Sequence, residues 1–151
     1  MRSKLINLFY LFFPLLIGGL VGFIISGNID YQNLIKPPFS PPKILFPIVW
    51  SIIYLLMGIS YFILKRNSND TIDESRVYYL QLFINALWSI IFFVLKWRFI
   101  SVLWIILLDI VVMYMFKLFY KKVKLSAYLN LLYIVWILYA TYLTIGIYIL
   151  N

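Results

Sequence analysis

The stretch LSAYLNLLYIVWILYATYLTIGIYIL, residues 125–150, carries no charged side chain. At a rise of about 1.5 Å per residue it outruns the roughly 30 Å hydrocarbon core of a bilayer. Four further apolar stretches precede it, from Leu5 to Ser26, Ile44 to Leu64, Val77 to Leu95 and Phe99 to Tyr120. Of the 151 residues 65% are hydrophobic and 12% charged, and the mean hydropathy is +0.99. That is more apolar surface than a water-soluble domain can hide around one core. The reading is an all-α integral membrane protein, a five-transmembrane-helix bundle forming a single domain over residues 1–151. No internal repeat or low-complexity tail interrupts it.

The segment from Leu5 to Ile25 follows Arg2 and Lys4 and so mimics a signal peptide, but it is long and lacks a small-residue cleavage site. It is kept as the first span. Breaks between spans have physical causes. Gly27-Asn28 and Pro37-Pro38-Phe39-Ser40-Pro41-Pro42 follow the first, and Lys65-Arg66-Asn67-Ser68-Asn69-Asp70 the second. Lys96 with Arg98, and Lys121, Lys122 and Lys124, mark the third and fourth.

In a soluble protein a net charge of +8 would suggest nucleic acid, but here the basic residues cluster at the ends of apolar segments, so no nucleic-acid partner is read. One side carries Arg2, Lys4, Lys65, Arg66, Arg76, Lys117, Lys121, Lys122 and Lys124, and the other Lys36, Lys43, Lys96 and Arg98. By the positive-inside rule this places the amino terminus in the cytoplasm and the first loop, about residues 27–43, outside.

Without Cys or His the chain has no disulfide, no thiolate or imidazole metal site and no His-based acid/base catalysis. Haem would find only Met or Tyr as axial ligands. There is no phosphate-binding glycine loop, nucleophile elbow or carboxylate pair flanking a pocket. No metal or cofactor is expected. Asp70, Asp73 and Glu74 read as a solvated turn with a helix start at Thr71 or Ser75.

Four prolines in six residues stiffen the first loop, and Tyr31 and Phe39 on it could close over a cavity as a lid; a rigid surface connector is the alternative. Helical spacing puts Phe46, Trp50, Tyr54 and Met57 or Gly58 on one face of the second span. Gln81, Asn85, Trp88 and Phe92 share a face of the third, and Tyr133, Trp136, Ala140 and Leu143 or Thr144 one of the fifth. If the three faces converge they line an aromatic pocket for a flat hydrophobic ligand, with Asn85, Gln81 and Tyr hydroxyls orienting it. Ordinary helix packing and interfacial aromatic belts give the same stripes. Gly18, Gly22 and Ser26 form a small-residue face suited to close approach of another helix. Asp109, near the middle of the fourth span, is either a functional carboxylate or a helix-paired structural one.

At these residues the sequence resembles the TspO/MBR family, the tryptophan-rich sensory protein and translocator protein (peripheral-type benzodiazepine receptor) family. The resemblance runs from about Gly18 to Asn151. It rests on Tyr31, Leu34, Lys36-Pro37, Phe39, Pro41-Pro42, Phe46, Trp50, Tyr54, Met57-Gly58, Gln81, Asn85, Trp88-Ser89, Phe92-Phe93, Tyr133, Trp136, Ala140, Leu143 and Leu150-Asn151. It implies a five-helix bundle, often a homodimer, in a bacterial cell membrane, whose pocket under the first loop takes porphyrins and drug-like molecules. Trp50 and Trp136 then match the pocket tryptophans, and Tyr31, Asn85, Trp88 and Ala140 other pocket positions.

The sequence departs from the family pattern at Asp30, Phe39, Leu132 and Thr144. Asp30 should make the lid more polar, and Leu132 in place of Pro should give a straighter fifth helix. Ile145 and Ile149 stand where the sterol motif of animal members needs a basic residue, which argues against sterol recognition. The leading reading is a binding protein or sensor for protoporphyrin-like tetrapyrroles in lipid surroundings. The alternatives are light- and oxygen-dependent porphyrin degradation with Trp50 and Trp136 as the reacting residues, a tetrapyrrole transporter, and a membrane subunit without a small ligand.

Overall fold

The computed structural model describes residues 2–28 and 31–151, apart from the side chains of Arg2, Ser3, Asn28 and Gln32. The expectation for Asp30 falls on a residue outside those described. The chain forms α1 (Arg2–Ile25), α2 (Leu45–Asn67), α3 (Ile72–Ser89), α4 (Arg98–Lys122), a short α5 (Lys124–Tyr128) and α6 (Leu131–Leu150). Five segments are long and apolar enough to cross a membrane, the last made of α5 and α6 together. This is a multi-pass membrane protein.

α3 lies at the centre: 56% of the residues in its apolar window are buried, against 11% for α1 at the periphery. α4 shows how the sequence places its neighbours. Its buried residues Ser101, Ile105, Leu108, Val112, Met115 and Phe119 recur at alternating steps of four and three, while Leu103, Ile106, Leu107, Ile110 and Met113 face outward. Such a stripe fixes one contact face and leaves the rest for lipid. Around it gather Ile53, Met57, Tyr61 and Leu64 of α2, Tyr78 and Leu82 of α3, and Ile134 and Ile137 of α6.

Backbone approaches closest between α1 and α2, at Gly58 and not at the small-residue face of α1. A Cβ on Gly58 would stand 2.0 Å from the Leu11 carbonyl oxygen. α2 meets the last span through small polar residues. Ser60 donates to the Ser126 carbonyl at 2.6 Å, Ser126 to the Ser60 carbonyl at 2.8 Å, and the Asn130 amide to Ser60 Oγ at 2.8 Å.

That junction corrects the expectation of a straight fifth helix. The span breaks at Leu129–Asn130 although Leu132 is not proline, and Asn130, with φ −96° and ψ 4°, starts α6. The Ser60–Ser126–Asn130 cluster holds the break by pairing both hydroxyls and the Asn130 amide N–H groups, partners that lipid cannot supply, while Asn130 Oδ1 has no protein partner.

α3 starts at Ile72, five residues before the apolar run at Val77, because Asp73 and Glu74 suit the positive end of a helix. Asp73 is exposed, but Glu74 is buried, which corrects its reading as solvated. α3 ends in a π-helical turn, Ile90–Leu95, closed by Lys96 in the left-handed region with φ 57°. Arg98 Nη1 donates to the Phe92 carbonyl at 2.9 Å and its guanidinium lies 4.4 Å from the centre of the Phe92 ring.

Candidate ligand-binding site

The proline-rich loop lies across one end of the bundle and is tied to α6. Pro37 packs where a Cβ on Gly146 would be, 2.5 Å from its ring. Tyr142 donates to the Pro38 carbonyl at 2.6 Å and Tyr139 to that of Phe39. The Asn151 amide accepts from the Ile35 N–H at 3.1 Å and donates to the Ile35 carbonyl at 2.8 Å, pairing with the loop backbone as a strand would. Two such bonds contribute about 1–2 kcal/mol to loop docking. Asn151→Ala is therefore expected to speed amide hydrogen exchange around Ile35 by roughly tenfold without lowering the unfolding temperature. Unchanged exchange there would remove Asn151 from the latch.

Tyr31 is the residue that the loop turns inward, 4% exposed. Its hydroxyl donates to the Pro41 carbonyl at 2.8 Å and its ring meets Phe46 edge-on at 5.0 Å. Burial raises the pKa of its phenol, the Ser40 hydrogen bond opposes that, and nearby Tyr139 adds to it. Tyr31 accordingly stays a neutral donor at physiological pH. Phe39, read from the sequence as its partner on the lid, projects outward and is 90% exposed, with φ 65°.

Beneath Tyr31 opens a cavity of about 830 Å³ between α1, α2 and α3, within the roughly 300–1,000 Å³ of small-molecule sites. α2 contributes Phe46, Pro47, Trp50, Ser51 and Tyr54, and α3 with its π-turn Trp88, Ser89 and Phe93. α1 contributes Leu15, Gly18, Gly19, Val21, Gly22 and Ile25, and the loop end Lys43 and Ile44. Gly18 seats the Tyr54 ring, to which a Cβ would come within 2.4 Å, whereas Gly19 and Gly22 face open space. Of the small-residue face expected to pack a helix, Gly18 does so against α2, Gly22 opens into the cavity, and Ser26 does not line it.

The three aromatic faces of α2, α3 and α6 do meet, but their meeting point is filled. Tyr31, Phe46, Trp50, Trp88, Phe92, Ala140 and Leu143 surround a void of only about 20 Å³ there, with Thr144 and Ile147 beside them, at most space for one water. Trp136 lines neither space. It packs edge-on against Phe46 at 6.0 Å and Tyr139 at 5.6 Å. Ala140, Leu143 and Trp136 therefore lie behind the cavity wall, and the pocket expected between α2, α3 and α6 has moved to the α1 side.

Gln81, Asn85 and Tyr133 are likewise committed to the protein. Tyr54 donates to Asn85 Oδ1 at 2.6 Å, Asn85 to the Tyr133 hydroxyl at 2.8 Å, and Tyr133 to Gln81 Oε1 at 2.6 Å. Gln81 Nε2 ends the chain on Met57 Sδ at 3.3 Å. Each polar group of this network finds a partner, so it ties α2, α3 and α6 together under the cavity floor. Asp109 takes the helix-paired role: Oδ2 accepts from Thr141 of α6 at 2.6 Å.

The sequence reading missed the α1 wall, Lys43, Ser51, Ser89 and Phe93. Gly18 and Gly22 carried the signal, but a small-residue stripe reads equally as a packing face. The wall offers stacking surface and few polar atoms. Among the described residues no three His, Cys, Asp or Glu side chains are grouped to hold a metal ion.

Comparison with known proteins places these features in context. A family model described as the TspO/MBR family matches residues 10–150. A tryptophan-rich protein TspO of Archaeoglobus fulgidus is 39% identical over 123 residues, 80% of this chain and 79% of that protein. Protein CrtK of Rhodobacter capsulatus is 32% identical, covering 88% of this chain and 85% of its own length. A translocator protein homolog of Schizosaccharomyces pombe is 27% identical, covering 91% and 87%.

Proposed function

The chain belongs to the TspO/MBR family, and from that premise we propose that it binds protoporphyrin-like tetrapyrroles and other planar hydrophobic molecules in its α1–α2–α3 cavity. The observation that carries this reading is an apolar space of about 830 Å³ faced by Trp50, Tyr54, Trp88 and Phe93. Flat aromatic ligands stack on such rings and bury their surface in place of weakly held water or lipid. In this reading Trp50 and Trp88 touch the ligand, and Trp136, Asn85, Gln81 and Tyr133 support the floor and back wall. Tryptophan emission of the purified protein should be quenched saturably by protoporphyrin. Quenching that persists unchanged in a Trp50→Phe, Trp88→Phe double variant would take the cavity out of the reading.

One observation favours a second, enzymatic reading. Trp50 stacks on Tyr54 at 5.4 Å, and Tyr54 continues through Asn85 to Tyr133. A photoexcited porphyrin held against these rings can pass an electron to dioxygen, giving superoxide and a porphyrin radical cation whose combination opens the macrocycle, and the stacked Trp50 and Tyr54 rings would steady that cation. Illumination with protoporphyrin should then yield a new absorbing product faster than porphyrin alone does; equal rates exclude it.

The family and the nine-to-four charge asymmetry support a bacterial cell membrane with the amino terminus in the cytoplasm. The chain has no cysteine of its own, and Asn69 is exposed between α2 and α3. A lone Cys introduced as Asn69→Cys should resist a membrane-impermeant maleimide in whole cells and react once they are opened. Labelling in intact cells would reverse the orientation.

A further inference from the structure

The cavity wall is mostly apolar, so the charge at its edge decides which hydrophobic ligand it prefers. Lys43 ends the proline-rich loop and lines the cavity where it meets the aqueous side. Its side chain is exposed, and its ammonium has no hydrogen-bond, ion-pair or ring partner among the described residues. The neighbouring loop cation is differently placed: Lys36 Nζ donates to the Tyr31 carbonyl at 3.1 Å and lies 4.7 Å from the Tyr31 ring centre. Among the described residues no carboxylate lines the cavity. α2 begins two residues after Lys43, so the positive end of that helix is on the same rim.

An ammonium beside an apolar space is arranged to hold a molecule whose body is hydrophobic and whose edge is anionic. The body loses its water inside, and the edge meets an exposed cation at the rim, where pairing is modest in strength but discriminates by charge. We propose that Lys43 is the specificity-determining residue of this site: it pairs with a carboxylate at the edge of the bound molecule, so the cavity selects hydrophobic carboxylates over neutral molecules of the same shape. This rests on the ligand reading given above. The same anionic chemistry is carried by phospholipid phosphates, and the test separates the two.

Protein in phosphatidylcholine nanodiscs is titrated with protoporphyrin and with its dimethyl ester, read by tryptophan quenching. The acid should bind more tightly than the ester. Lys43→Gln should weaken the acid about three- to fivefold and leave the ester within about 1.5-fold, and Lys43→Arg should keep most of the preference. Equal weakening of acid and ester, or no change in either, overturns the proposal. So does an acid preference that vanishes when phosphatidylglycerol is added to the discs, because a lipid phosphate then holds the rim. Failure of both porphyrins to bind the native protein would sink the porphyrin reading alone. Oleate against methyl oleate then carries the same comparison, and absence of an acid preference there as well overturns the role of Lys43.

Discussion

Replacing Gly22 with Leu should weaken protoporphyrin binding by at least about tenfold while leaving the protein as stable as before, or more so. The two effects separate because of where this glycine stands. A Cβ on Gly22 meets nothing within 4 Å, and the residue lines the cavity. The new side chain enters empty space, and a helix gains up to about 1 kcal/mol when Leu replaces Gly. The ligand loses volume and wall contacts, and each tenfold in affinity is about 1.4 kcal/mol. Titration by tryptophan quenching, beside a thermal unfolding curve in the same detergent, measures both. A Gly22→Leu protein that binds normally but unfolds at a lower temperature would return the stripe on α1 to helix packing.

Gly58→Ala should act on stability instead, weakening the bundle at a residue that does not line the cavity. The added Cβ would lie 2.0 Å from the Leu11 carbonyl oxygen and 3.0 Å from that of Tyr10. Both are backbone atoms, so no rotamer change relieves the clash and α1 must move away from α2. Overpacking of this kind costs about 1–3 kcal/mol or more, which outweighs the roughly 1 kcal/mol that Ala gains over Gly in a helix. The expected result is an unfolding temperature lowered by several degrees, with Gly19→Ala unchanged as the control. Native stability of Gly58→Ala would mean that α1 and α2 do not approach as closely as described.

Several features were legible before any coordinates. The five spans follow from apolar length, and the interruptions from proline and charge. Which residues share a face of α2 or α3 follows from helical spacing, and Trp50, Tyr54 and Trp88 do face the cavity. Span ends were less legible: α3 starts at Ile72 because the acidic residues there favour a helix start, which hydropathy does not register. The break before α6 carries no proline signal, because serine and asparagine side chains from two spans hold it.

What the sequence by itself determined is the solvent, the number of crossings, the stiff loop and the set of aromatic faces, since all of these depend on one segment at a time. Only the tertiary structure decided where space remains. It filled the junction of α2, α3 and α6, satisfied the amides of Gln81 and Asn85 internally, turned Phe39 outward and opened the cavity against α1. Periodicity states which side chains point the same way along one helix. A void is a property of two or more facing surfaces, and whether glycines make a close contact or a hollow depends on how near the opposite helix comes.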